Sequence, residues 1–66
     1  MAMRWTIGPG GDGGSWHGFD GSGLLAAAVV RYRDARGEWW AAFLRGDRLP
    51  DRHDSAESAM TAVDKA

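Results

Sequence analysis

Val29-Val30-Arg31-Tyr32-Arg33-Asp34-Ala35-Arg36-Gly37-Glu38-Trp39-Trp40-Ala41-Ala42-Phe43 holds the clearest pattern in this 66-residue chain. Two runs rich in β-branched and aromatic residues flank Asp34-Ala35-Arg36-Gly37, which fits a type I turn with glycine in the left-handed position. The segment predicts a β-hairpin, one strand running from Leu24 to Arg33 and its partner from Glu38 to Arg45. A three-residue loop with a glycine bulge sets Asp34 opposite Glu38. On that register Tyr32 faces Trp40, Val30 faces Ala42 and Ala28 faces Leu44, an uncharged core face. The other face pairs Arg33 with Trp39, Arg31 with Ala41 and Val29 with Phe43, so Trp40 belongs to the core and Trp39 to the exposed side.

C-terminal to the hairpin, Arg45-Gly46-Asp47 reads as a turn and Arg48-Leu49 as a brief extended piece before Pro50. A helix is expected over residues 54–65. Asp54 as N-cap with Glu57 three residues later makes a capping box, in which each side chain answers the other residue's free backbone N–H. Ala56, Ala59, Met60 and Val63 recur at helical spacing and form its apolar stripe. A helix of this length is marginal alone and must pack on the sheet, where Ala56 and Ala59 allow close approach to Trp40 and Tyr32.

N-terminal to the hairpin, Arg4-Trp5-Thr6-Ile7 fits a short strand. Gly8-Pro9-Gly10-Gly11-Asp12-Gly13-Gly14 then breaks all periodicity, and the whole stretch from Gly8 to Gly23 is expected as a loop carrying Trp16 and Phe19. These aromatics either lid the domain's own sheet or grip a partner.

Composition limits the rest. Leu, Ile, Val and Phe number only ten, but the net charge of −1 is too small for a disordered chain, and four Trp supply apolar area. With no cysteine there is no disulfide to support a single domain of this size, residues 1–66. The longest apolar run, Leu24 to Val30, is far shorter than the ~18 residues of a membrane span. Met1-Ala2-Met3-Arg4-Trp5 lacks a secretion signal, so a cytoplasmic location is expected. Arg outnumbers Lys seven to one and Asn and Gln are absent, a bias associated with GC-rich coding sequence in bacteria and their viruses.

No catalytic or metal-binding constellation emerges. Gly8-Pro9-Gly10-Gly11-Asp12-Gly13 satisfies a dinucleotide fingerprint by letter, but no helix pattern follows to bind phosphate at its N-terminus. Ser15, His17, Asp20 and Ser22 lie on a flexible stretch that cannot orient a nucleophile and base. His17, Asp20, His53 and Asp54 lack zinc-ligand spacing. No cofactor and no enzymatic activity are expected.

Two binding surfaces compete. Arg31 and Arg33 beside Trp39, with Arg36 and Arg45 near, form an arginine-aromatic face of the kind that holds single-stranded nucleic acid. Asp51, Asp54, Glu57 and Asp64 form an acidic ridge away from the helix stripe, suited to a basic surface on a partner, with Trp39 or Trp16 as apolar anchor. By segment the charge is −1 for residues 1–23, +2 for 24–45 and −2 for 46–66.

The hairpin Val29-Val30-Arg31-Tyr32-Arg33 through Glu38-Trp39-Trp40-Ala41-Ala42-Phe43, followed by Asp54-Ser55-Ala56-Glu57-Ser58-Ala59-Met60, resembles in architecture the small accessory proteins of phages and mobile elements, type I anti-CRISPR inhibitors among them. That resemblance implies a non-enzymatic, monomeric inhibitor. Its partner would be a larger bacterial protein or ribonucleoprotein complex with a basic surface, and its action would be to block target DNA access to a CRISPR effector. The expected fold is α+β: an antiparallel sheet of two or three strands, residues 24–45 forming its hairpin, one C-terminal helix on one face, and a Gly-rich arm over residues 1–23. The alternative is a small nucleic-acid-binding module using Arg31, Arg33 and Trp39.

Overall fold

The computed structural model describes residues 3–66, so Met1 and Ala2 of the expected arm lie outside the described residues. Among the described residues five strands and one helix follow one another: β1 (Arg4–Ile7), β2 (Ser15–Phe19), β3 (Leu25–Asp34), β4 (Gly37–Leu44), β5 (Asp47–Arg48) and α1 (Ala56–Lys65). The strands make one antiparallel sheet in the order β1-β2-β3-β4-β5. The class is α+β, but the expectation of two or three strands is overturned.

The additional pairing comes from the segment expected to be a loop. Ser15-Trp16-His17-Gly18-Phe19 pairs with β1 on one side and β3 on the other, Trp16 lying opposite Val29 and Gly18 opposite Ala27. Gly18 is required by close approach: a Cβ there would sit about 3.0 Å from the Trp5 ring, which crosses the glycine from β1. The indole thus fills the space a side chain would take, and the glycine strengthens the pairing instead of breaking it. Residues 8–14 and 20–24 are reduced to turns, closed by Gly8 N–H to Ser15 C=O at 2.8 Å and Asp20 N–H to Leu24 C=O at 3.0 Å.

The register of the central hairpin differs from the expectation by one residue. Asp34 pairs with Gly37 and Arg33 with Glu38, so Ala35 and Arg36 alone make the connection. Asp34 Oδ1 accepts from the Arg36 N–H at 2.9 Å, and Arg33 meets Glu38 directly across the ladder at 2.6 Å. A one-residue slip moves a strand's side chains to the other face. On β4 the expected core residues Trp40, Ala42 and Leu44 hold their places, while on β3 Ala27 and Val29 replace Ala28, Val30 and Tyr32.

The core lies between α1 and one face of the sheet. Ala27, Val29, Trp40, Ala42, Ala59 and Val63 form it, with Trp5, Trp16, Leu44, Leu49, Ala56 and Met60 packed around them. The helix stripe is therefore as expected, and Ala59 and Val63 are its buried members. Its cap is not. Ser55 stands at N-cap in extended conformation and its hydroxyl accepts from the Ser58 N–H at 3.1 Å, so Asp54 lies one residue before the cap. The preceding chain fixes this start, because His53 exchanges two backbone hydrogen bonds with Trp40, at 2.7 and 2.9 Å, and holds the chain extended.

After β4 the chain reverses through Arg45 and Gly46, both with positive φ (52° and 86°), the pattern of a type I′ hairpin turn. Arg45-Gly46-Asp47 is thus the turn that was expected. β5, then Leu49 N–H on Ala42 C=O at 2.8 Å, then His53 on Trp40, cover most of the outer edge of β4.

Candidate functional site

Alternation along the strands leaves a second face of the sheet with no helix on it. It carries Arg4, Phe19, His17, Ala28, Val30, Tyr32, Trp39, Ala41, Phe43 and Arg48, as the cross-strand pairs require. Three arginines lie over aromatic rings there: Arg4 over Phe19 at 5.6 Å, Arg48 over Trp39 at 5.3 Å and Arg52 over Trp39 at 4.2 Å. Each such contact is worth roughly 0.5–2 kcal/mol, rising as water is excluded.

Arg52 owes its place to its neighbour. His53 is bound to the backbone of Trp40 in antiparallel pairing, which sets residue 52 alongside Ala41, from where its guanidinium reaches over Trp39 and also binds Asp34 at 3.0 Å. Tyr32 stacks on Trp39 with centroids 4.9 Å apart and planes 21° from parallel. Trp39 is thereby half-buried among its own neighbours, and Tyr32, 42% exposed, presents the aromatic surface to solvent. The Trp39 indole N–H is buried without a partner in hydrogen-bond geometry among the described residues, but it still helps to stabilise the Asp34 carboxylate.

That carboxylate is held below its ordinary value of 3.8, first by the Arg36 backbone N–H and then by Arg52. Glu38 is lowered from 4.5 by the hydrogen bond from Arg33. Asp20 is lowered from 3.8 by the backbone N–H groups of Leu24 and Ser22, with a smaller contribution from the charge of Arg45. All three are ionised acids at neutral pH, and none is placed to act as a general acid.

The same face holds a groove of about 290 Å³ at the far end of the hairpin, lined by Leu25, Ala28, Phe43, Arg45 and Gly46 among others. Leu24 and Leu25 beside it are exposed. A bulge where β2 meets β3, shifting the register between Gly18 and Phe19, brings Leu25 opposite Phe19 and shapes this end.

The residues expected to carry function are distributed differently. Arg31 and Arg33 lie on the helix side of the sheet, opposite Trp40 and Glu38, so the trio Arg31, Arg33 and Trp39 is not brought together. Trp16 packs against the core. Asp51, Asp54, Glu57 and Asp64 are exposed, and Asp64 Oδ1 accepts from the Met3 N–H at 3.3 Å. Arg48 and Arg52 take the places assigned to Arg31 and Arg33. The segment charge concealed them, since both sit in the acidic C-terminal third; their spacing around Leu49-Pro50, extended chain next to β4, was the available signal.

No group of His, Asp or Glu side chains that could hold a metal occurs among the described residues. No helix among them is long and apolar enough to cross a membrane. No family model, curated protein or solved structure matches the chain.

Proposed function

We propose that this chain is a non-catalytic binding module whose working surface is the uncovered sheet face and whose ligand is nucleic acid. The observation that carries the reading is the set of three arginines, Arg4, Arg48 and Arg52, each held over an aromatic ring on that one face. Guanidinium groups supply phosphate contacts and rings supply stacking, the combination that sequence-tolerant nucleic-acid grooves use. Asp34 beside the stack pairs with Arg52, so the unpaired positive charge over the rings comes from Arg4 and Arg48. The acids of α1 and the loop before it, Asp51, Asp54 and Glu57, form no ion pair among the described residues and belong to the segments on the other side of the sheet or beyond its edge.

The test is fluorescence anisotropy with labelled oligonucleotides at low salt. Binding should weaken steeply as salt is raised, and Arg48→Glu should weaken it further, with a shallower salt slope. Absence of binding at low salt overturns the reading.

A second reading is favoured by those unpaired acids: a cytoplasmic, monomeric inhibitor that docks Asp51, Asp54, Glu57 and Asp64 on a basic surface of a larger complex, in the manner the anti-CRISPR resemblance implies. Reversing Glu57 and Asp64 together would abolish capture of such a complex and leave oligonucleotide binding intact. Equal capture by the parent and the double variant overturns it.

A further inference from the structure

We infer that the ligand of the uncovered face is a single strand, DNA or RNA, one of whose unstacked bases enters the groove between Leu25, Ala28 and Phe43 while a second stacks on Tyr32. The inference rests on the nucleic-acid reading above and specifies the form of nucleic acid. The groove holds about 290 Å³, close to the lower limit of roughly 300 Å³ for small-molecule sites, which is room for one planar heterocycle. Its lining is mostly apolar, with Ala28 and Phe43, cross-strand partners on the uncovered face, and with Arg45 also among the lining residues. An aromatic wall and a nearby cation are what a base and its phosphate need, whereas a flat apolar docking patch would have no use for the arginine. Arg45 is partly balanced by Asp20, which its charge helps keep ionised, so this end of the site offers one modest phosphate contact.

The second platform is in line with the first. Trp39, which supports Tyr32, lies four residues before Phe43 on β4, roughly 13 Å along the strand at ~3.3 Å per residue. That distance corresponds to about four nucleotides at the ~3.4 Å rise of stacked bases, and fewer in an extended strand. Arg48 lies between the platforms, paired with Phe43 in the ladder and leaning over Trp39. A phosphate chain following β4 thus meets Arg48 and then Arg45, while Arg52 is held by Asp34. Bases locked inside a duplex cannot enter the groove without being unpaired first, at a cost the single strand avoids.

The experiment compares a labelled 12-nucleotide oligothymidine, the matching oligouridine and a 12-base-pair duplex on the full chain. The single strands should bind at least fivefold more tightly than the duplex, and Ala28→Phe, which fills the groove, should weaken them by about 5- to 150-fold, the range of one lost base–aromatic stack. Thermal unfolding of Ala28→Phe checks that the variant is folded. Should it not fold, Arg45→Asn keeps the left-handed turn position, which Asn tolerates, and should lower the salt slope for single strands by about 0.7. Equal affinity for duplex and single strand, or groove variants that bind as the parent does, overturns the inference and leaves the nucleic-acid reading standing. No binding to any of the three probes overturns both.

Discussion

Trp39 and Trp40 are adjacent in the chain and differ in almost everything else. Trp40 points beneath α1, is 9% exposed and belongs to the core with Val29, Ala42, Ala59 and Val63. Trp39 points to the uncovered face, where Tyr32, Arg48 and Arg52 surround it. One face of the sheet gains its stability from exclusion of water by apolar side chains, and the other from stacked rings and guanidinium groups that remain partly wet. The same residue type therefore serves two kinds of surface, and the difference comes from strand alternation alone.

Substitutions can break this contrast. Trp40→Ala should have the largest effect, about 3–5 kcal/mol, comparable with the whole stability expected of a domain this size at ~0.05–0.15 kcal/mol per residue. Its near-UV circular dichroism should lose tertiary signal, and its denaturant unfolding should lose cooperativity. Gly18→Val comes next, because its side chain must displace the Trp5 ring now about 3.0 Å from a Cβ position; a loss of roughly 1–3 kcal/mol is expected in urea titrations. Trp39→Ala should cost only about 1–2 kcal/mol through the lost stack and cation–π contacts, leaving a cooperative transition but weakening oligonucleotide binding. A Trp39→Ala variant less stable than Trp40→Ala would reverse the assignment of faces.

The smallest expected effect is that of pH. Asp34, Asp20 and Glu38 titrate below their ordinary values in the folded chain, so as pH falls the unfolded chain takes up protons first. Their contribution is present at neutral pH and is lost as pH drops below about 4.5 and through the depressed folded values. Urea midpoints should thus be flat from pH 7 to about 5.5 and lower at pH 3.5.

Much of the hairpin and helix was legible in the sequence. The β-branched and aromatic runs marked β3 and β4, the 3.6-residue spacing marked the stripe of α1, and alternation along β4 put Trp40, Ala42 and Leu44 on one face even though the β3 residues expected opposite them were the wrong set. The register was not legible, because Asp34-Ala35-Arg36-Gly37 is compatible with two- and three-residue connections and both leave apolar residues on each face of β3. Val29 and Val30 are interchangeable by pattern, and what distinguishes them is tertiary: Trp16 of β2 lies opposite Val29, which packs with Trp40, Ala42 and the helix. β2 was hidden by its glycines, since the partner that makes Gly18 favourable is Trp5, thirteen residues earlier. The helix start was ambiguous between Asp54 and Ser55, both good caps, until the His53 pairing to Trp40 fixed it. The arginines of the uncovered face escaped notice for a related reason: a sum of charges over a segment ignores which side of the sheet each side chain reaches.

Every strand pairs with the next one in the chain. Each ladder can therefore close through a short turn, and loop-closure entropy opposes assembly only weakly. Hairpins of this kind form in roughly 1–10 μs, so β3 and β4 can meet as soon as both are available, with β2 and β1 added in succession. The helix has a different timetable. Ala59 and Val63 gain nothing by ordering until Val29, Trp40 and Ala42 already share a face, which makes helix docking the late event and the sheet its template.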